Sequence, residues 1–211
     1  MTRILTFSVL AFFSGLGQPL LAQNMVAPDV LAKGVTDEVI AILRADRDAY
    51  AGNPAKVIEL VENKVLPHFN FMRMTQLAVG KNWRQASAQQ RDALTGQFRT
   101  LLVRTYATAF TAYRDETISY RPLRMQPEDV DVVVRSQIVR QSGPPVGVDY
   151  SMEKTASGWK VYDVAIEGVS LVQNYRSTFN GEVQRGGING LIGALEAKNS
   201  QLGQKTQGVG Q

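Results

Sequence analysis

The apolar residues of this chain follow a helical spacing in the first half and an alternating, strand-like spacing in much of the second half. Asn53 followed by Pro54 is typical of a helix start, with a capping side chain ahead of a proline at the first helical position. Ser87 and Gln90 have the spacing of a capping box at the start of the longest periodic segment, about residues 88–113. The first half is therefore predicted to be helical.

Shorter helical signals lie on either side of these segments. Residues 23–35 are predicted to be a tether or an irregular first turn, with Thr36 capping the helix that follows. Asn70 is placed to cap a short helix that ends at Gly80, a residue suited to the left-handed position after a helix. Both interpretations rest on local capping chemistry.

Four stretches between Thr117 and Ile166 alternate apolar and polar residues, which is the period of an extended strand. In the last stretch, strict alternation puts Tyr162, Val164 and Ile166 on one side and Asp163 on the other. The links between the stretches are short, which favours antiparallel neighbours. The predicted fold class is α+β, with a helical N-terminal half packed on a curved four-stranded antiparallel sheet and helices after the sheet.

The two ends of the chain suggest export and a polar tail. Residues 1–22 have the basic start, short apolar run and small-residue end of a signal peptide, with cleavage expected after Ala22. A helix capped by Ser170 is expected to break at Gly186, and one last helix to follow it. The domain organisation is then a signal peptide at 1–22, a single domain at 23–202 and a disordered tail at 203–211.

The composition leaves few residues for catalysis. The chain has no cysteine and a single histidine, His68, which argues against thiolate chemistry and against metal sites built on several imidazoles. Asp149, Asp163 and Glu167 are candidate acid–base groups, but salt bridges or a docking surface explain them as well. The net charge of +4 comes without a cluster of basic residues, so no nucleic-acid partner is expected. We expect a non-enzyme.

Seven short runs, most of them apolar or aromatic, follow one another in a distinctive order between residues 67 and 176. They are Pro67-His68-Phe69-Asn70-Phe71, Leu77-Ala78-Val79-Gly80, Trp83-Arg84, Leu101-Leu102-Val103-Arg104-Thr105-Tyr106-Ala107, Tyr162-Asp163-Val164, Glu167-Gly168-Val169-Ser170-Leu171 and Asn174-Tyr175-Arg176. In these runs the chain resembles the MlaC family of periplasmic phospholipid-binding proteins, which is also associated with toluene tolerance. One position departs from the resemblance, because the family usually has an acidic residue where Asn70 stands.

The resemblance implies a fold that encloses an apolar cavity between sheet and helices, and a function as a soluble phospholipid carrier in the periplasm. It implies two partners that exchange lipid with the carrier: an outer-membrane lipoprotein complex and an inner-membrane ABC transporter complex with a periplasmic lipid-binding ring. Such a carrier helps to maintain outer-membrane lipid asymmetry. We expect a monomer that needs no cofactor and no metal and holds phospholipid as its cargo.

The residues predicted to line the cavity are large and apolar or aromatic, and they come from both the helical and the strand segments. Arg84, Arg104 and Arg176 are candidate phosphate or surface partners. Three alternatives remain open: an enzyme with a cone-shaped α+β cavity for small substrates, a periplasmic chaperone for acylated proteins, and an adaptor with a solid core. The predicted lining residues are Phe69, Phe71, Met72, Leu77, Phe98, Leu102, Tyr106, Val134, Val148, Tyr150, Val164, Ile166, Val169, Tyr175 and Phe179.

Overall fold

The structure is a computed structural model, and it describes residues 25–107, 116–140 and 142–208, with side chains described as far as residue 204. The predicted signal peptide and the end of the predicted long helix lie outside the described residues. The helices are α1 Pro28–Ala45, α2 Arg47–Tyr50, α3 Pro54–Lys64, α4 Phe71–Val79, α5 Ala88–Tyr106 and α6 Leu171–Gly208, with short 3-10 segments at Leu66–His68 and Gly80–Gln85. The strands are β1 Thr117–Tyr120, β2 Asp131–Val139, β3 Val146–Thr155, β4 Gly158–Ile166 and β5 Val169–Ser170.

The predicted helix caps at Asn53 and Ser87 are confirmed. The side chain of Asn53 accepts a hydrogen bond from the backbone N–H of Lys56 at 3.1 Å. Ser87 and Gln90 form both halves of a capping box. These side chains satisfy backbone donors that have no partner within the helix, which is why they fix where α3 and α5 begin.

The first helix begins earlier than the sequence predicted. It starts at Pro28, so residues 28–35 of the stretch interpreted as a tether are helical and Thr36 lies inside α1. Pro28 supplies the backbone angle of a first helical turn, and Asp29 places a negative charge at the positive end of the helix dipole. Leu31 and Ala32 pack against the sheet, which adds tertiary contact to these local preferences.

The sheet has five strands in the order β1-β2-β3-β4-β5, all antiparallel, where four were predicted. The additional strand, β5, has two residues and pairs with the end of β4 through Ala165–Ser170 and Ile166–Val169. It forms because Glu167 and Gly168 both have positive φ, which turns the chain back tightly enough to pair with the strand it has just left.

A β-bulge in β4 corrects the predicted alternation. Met152 pairs with Val161 but Ser151 pairs with Asp163, so Tyr162 is the extra residue. Trp159 and Val161 therefore join the same buried cluster as Met152, while Tyr162 lies with the polar residues of the opposite face. Strict period-two alternation had grouped Tyr162 with Val164 and Ile166, and that grouping was wrong.

The last helix continues further than the sequence predicted. Gly186 and Gly187 produce the expected break, with non-helical backbone angles inside the segment from 171 to 208. Residues 203–208, assigned by sequence to the disordered tail, continue the helix. Leu202 packs against the helical core, and the Arg104 guanidinium lies directly against Gly203, so contacts with α5 extend the helix beyond its local signals.

Candidate functional site

Seven of the predicted lining residues lie in the helical core formed by α4, α5 and α6. Phe98, Leu102 and Phe179 are buried there, and four others pack against them while keeping some accessible surface. The ring of Phe98 is 5.1 Å from the rings of both Tyr175 and Phe179, in edge-to-face contact. The four partly buried members are Phe71, Leu77, Tyr106 and Tyr175.

Five other predicted lining residues share one face of the sheet, which we call the inner face. Register places Val134, Tyr150 and Val164 side by side across β2, β3 and β4, with Val148 and Ile166 adjacent in the next row. Val134 and Val148 are buried, whereas Tyr150, Val164 and Ile166 keep some accessible surface. The inner face is thus apolar but incompletely sealed.

Phe69 packs against both the helical core and the sheet core. It forms an isolated parallel bridge with Val161, and the next residue, Asn70, donates its backbone N–H to the Val161 carbonyl at 2.8 Å. Its ring stacks on Phe71 with 5.7 Å between centroids. Phe69 therefore lies where the helical half of the predicted site meets the sheet half.

Met72 and Val169 lie on the surface, with 53% and 59% of their area exposed. Met72 is in the first turn of α4, next to the half-buried Phe71, and Val169 is in the short edge strand β5. Neither residue belongs to the described apolar clusters. Apolar character alone did not distinguish them from residues that face inward.

A chain of hydroxyl groups crosses the inner face and reaches α1. The Tyr120 hydroxyl lies 2.7 Å from the Thr36 hydroxyl and donates to the Ala32 carbonyl at 3.2 Å. Tyr150 hydrogen-bonds to Tyr120 and Ser136, and burial raises the pKa of Tyr150 above its ordinary value. Leu31 and Ala32 of α1 pack against this face of the sheet.

The departure at Asn70 has a structural explanation. Its Oδ1 atom accepts the Arg73 backbone N–H at 3.0 Å, which confirms the predicted cap of α4. Its Nδ2 atom donates to Glu153 at 2.7 Å. The amide accepts at one end and donates at the other, whereas an ionised aspartate here would place a second carboxylate against Glu153.

The guanidinium of Arg73 is the centre of this network. It bonds to Glu153 on β3 and, at 2.8 Å, to Asp131 on β2, and it lies 3.6 Å from the ring centroid of Tyr162 on β4. Burial acts to lower the pKa of Arg73, but its two carboxylate partners outweigh that effect and raise it. Burial, reinforced by the hydrogen bond to Asp131, raises the pKa of Tyr162 to about 12. The network joins α4 to three strands.

The candidate acid–base residues have structural partners. Asp163 accepts the backbone N–H of Val172 at 3.1 Å and the hydroxyl of Ser170, so its carboxylate caps α6. Asp149 lies 3.6 Å from Arg135 in an exposed ion pair, and Glu167 accepts the backbone N–H of Gly147.

His68 ends the 3-10 segment before Phe69 and is partly buried. Burial, followed by the charge of Lys160, lowers the pKa of His68. In the part of the chain that the structure describes, no group of three His, Cys, Asp or Glu side chains is placed to hold a metal ion. The same described ranges contain no helix with the length and apolar character of a membrane-spanning segment.

Two surface clefts lie outside the predicted lining. A cleft of about 750 Å³ lies between the start of α3, α5 and the end of α6, and Arg104 contributes to it. A cleft of about 480 Å³ lies between Gly80 and the start of α6, and Arg176 contributes to it. Arg84 is exposed in the second 3-10 segment. None of the fifteen predicted lining residues contributes to either cleft.

Sequence inspection missed two parts of this arrangement. Ile138 and Val146 extend the inner face in register with Ile118. Their alternation with polar residues assigns them to that face once the strand pairing is known. Arg73 gave no such signal, because its partners Asp131 and Glu153 lie far away along the chain. Only the folded arrangement brings them together.

The fold and the inner face define a class of protein: a small α+β protein in which helices pack with an open antiparallel sheet that has one apolar, partly accessible face. The family model described as "MlaC protein" matches residues 33–197. The chain belongs to the MlaC family.

Three known proteins are similar to this chain. The intermembrane phospholipid transport system binding protein MlaC of Haemophilus influenzae is 26% identical over 204 residues, covering 94% of this chain and 92% of that protein. The toluene tolerance protein ttg2D of Pseudomonas putida is 23% identical over 170 residues, covering 80% and 79%. A solved structure of a phospholipid-binding protein from Ralstonia solanacearum, in complex with a phospholipid, is 40% identical with a TM-score of 0.77, covering 83% of this chain and 98% of that one.

Proposed function

We propose that this protein binds a phospholipid by its acyl chains, between the inner face of the sheet and the helices, and carries it across the periplasm. The observation that carries the proposal is the similarity to the Ralstonia solanacearum protein, whose structure was solved with a phospholipid bound. The lipid exchanges with an inner-membrane ABC transporter complex that has a periplasmic lipid-binding ring and with an outer-membrane lipoprotein complex. This traffic maintains outer-membrane lipid asymmetry, and the chain itself performs no catalysis.

The chemistry of the inner face supports this proposal. Val164, Ile166 and Tyr150 offer apolar surface that is only partly covered by protein. Apolar side chains interact with acyl chains through dispersion and exclusion of water, with little directional bonding. Such a surface selects for the volume of the chains more than for the headgroup.

The energetics explain why a carrier is needed. A two-tailed phospholipid has on the order of 30 methylene groups, and exposing them to water costs about 24 kcal/mol at about 0.8 kcal/mol each. Spontaneous transfer through an aqueous compartment is therefore extremely slow. A protein surface that replaces the bilayer around the tails removes most of this cost.

The test is native mass spectrometry of the protein purified without residues 1–22, followed by organic extraction and identification of the released molecules. We expect a mass increment that corresponds to glycerophospholipid. A protein that carries no lipid after purification and takes none up from liposomes would contradict the proposal. A fatty-acyl group on a co-purified protein would instead support a chaperone of acylated proteins.

A matched pair of variants tests the site. Val164→Asp places a charge on the inner face, whereas Val139→Asp places the same charge on an exposed residue at the end of β2. We expect lipid occupancy to fall severalfold in the first variant and to stay unchanged in the second, because a charge in an apolar environment is strongly disfavoured. Equal occupancy in two folded variants would place the acyl chains away from Val164. Circular dichroism verifies that both variants fold.

A further inference from the structure

The cleft of about 480 Å³ between the end of α4 and the start of α6 brings together two of the seven sequence runs that carry the family resemblance. Gly80 is the last residue of Leu77-Ala78-Val79-Gly80, and Arg176 is the last residue of Asn174-Tyr175-Arg176. They lie far apart in sequence, yet a Cβ atom on Gly80 would be only 3.1 Å from Nε of Arg176. The acyl-chain site does not account for this pairing, because neither residue lies on the inner face of the sheet.

The position of the Arg176 guanidinium depends on Gly80. Gly80 has a φ of +63° and a ψ of −131°, a backbone conformation that other residues rarely adopt. Without a side chain there, the guanidinium lies directly against the backbone, and its Nη1 atom donates to Oε1 of Gln173 at 3.2 Å. The arginine is thus held at the cleft although it is exposed.

The remaining lining of the cleft suits an anion. Lys81 adds a second cation, and Ser177 adds a hydroxyl donor. Asn180 accepts from Asn82 through Oδ1, so its donor NH₂ group is the end turned away from Asn82. Among the described residues that line the cleft there is no carboxylate.

We propose that this cleft binds a phosphate group, from either a lipid headgroup at a membrane surface or free phosphate. A guanidinium offers two parallel donors that match two phosphate oxygens, and an ammonium beside it adds a point charge. The cleft shares no residue with the predicted acyl-chain lining.

The test compares three variants of the full mature chain. Arg176→Gln removes the guanidinium, whereas Gly80→Ala keeps the charge but crowds the guanidinium, which must shift by a few tenths of an ångström. Arg185→Gln is the matched control, because Arg185 is an exposed arginine of α6 that pairs with Glu182 outside the cleft. The probes are inorganic phosphate, titrated at constant ionic strength with NaCl as reference, and phosphatidylcholine vesicles with or without phosphatidylglycerol. NMR amide shifts and co-sedimentation measure binding.

We expect Arg176→Gln to weaken binding about tenfold, the usual effect of losing one charge-assisted contact, Gly80→Ala to weaken it less, and Arg185→Gln to leave it unchanged. Binding to anionic vesicles alone assigns the site to lipid headgroups, and binding to phosphate alone assigns it to the free ion. Absence of binding to both probes overturns the proposal, as does an equal loss in Arg185→Gln. If Gly80→Ala does not fold, Arg176→Gln and its control still decide. Lipid occupancy by native mass spectrometry, measured in parallel, keeps this result separate from the acyl-chain site.

Discussion

Replacing Asn70 with aspartate exchanges one amide nitrogen for a carboxylate oxygen at the junction between α4 and the sheet. In the native chain Nδ2 of Asn70 donates to Oε1 of Glu153 at 2.7 Å. In the variant, two carboxylate oxygens face each other across this junction. A charge-assisted hydrogen bond becomes a repulsion between like charges.

The size of the effect follows from the groups involved. A hydrogen bond to a charged group contributes about 1.5–3 kcal/mol. Arg73 bonds to Glu153 and offsets part of the new charge, and the aspartate keeps the oxygen that caps α4. We expect the free energy of unfolding to fall by about 2 kcal/mol at neutral pH, which lowers Tm by about 4–8 °C for a chain of this length.

The loss also depends on pH. Repulsion raises the pKa of one of the two carboxyl groups in the folded variant above its unfolded value of about 4. The folded variant then holds a proton more tightly than the unfolded chain does. The stability deficit is therefore largest at neutral pH and shrinks as the pH falls towards about 4.

Thermal unfolding followed by circular dichroism at neutral and mildly acidic pH measures both effects. The control is a double-mutant cycle with Glu153→Gln, in which the glutamine removes the opposing charge and leaves Asn70→Asp with a much smaller cost. An unchanged Tm at neutral pH would refute the reasoning. An equal loss with glutamate or glutamine at position 153 would do the same.

Two further predictions concern β4. Asp163→Asn removes the charge that caps α6 and the acceptor for the Ser170 hydroxyl, so Tm should fall by about 3–6 °C. The control is Asp149→Asn, which should change Tm little because Asp149 belongs to an exposed ion pair. Equal shifts in Tm would contradict the capping role of Asp163. Tyr162 has a pKa raised to about 12, so its contribution to stability is present below pH of about 10 and is lost as the pH rises towards about 12. Absorbance titration of the phenolate band should show one late-titrating tyrosine fewer in Tyr162→Phe than in the native chain. Retention of all late-titrating tyrosines would count against this assignment.

The helix boundaries set by capping were predictable because the capping groups are neighbours in sequence. The cap at Asn53, the capping box at Ser87 and the cap at Asn70 each join atoms three residues apart. Gly80 was predictable for a similar reason, since only glycine readily adopts its backbone conformation. These features need no knowledge of the tertiary structure.

The bulge at Tyr162 was not predictable in the same way. Alternation assumes that every residue of a strand pairs, and the extra residue is visible only when β3 and β4 are aligned. The partners of Tyr162 explain why the bulge is placed there, because its hydroxyl donates to Asp131 and the Arg73 guanidinium lies over its ring. Both partners are distant in sequence.

The positions of the predicted lining residues in the fold were predictable in part, for a related reason. Sequence patterns identified apolar residues in the correct segments, and most of them lie in the two apolar clusters. Met72 and Val169 have the same apolar character but lie on the surface, because their direction depends on the first turn of α4 and on the edge strand β5. Burial is decided by packing, which a single sequence does not encode position by position.

On the proposed function, a lipid carrier has to release its cargo as readily as it takes it up. The cost of about 24 kcal/mol for exposing two acyl chains to water is avoided both in a bilayer and against the inner face, so it largely cancels when the lipid moves between them. Under the proposed function, the partners would then decide the direction of transport, and the affinity of the carrier would not. Substitutions at exposed residues that contact those partners should consequently slow exchange while leaving the lipid content of the purified protein unchanged.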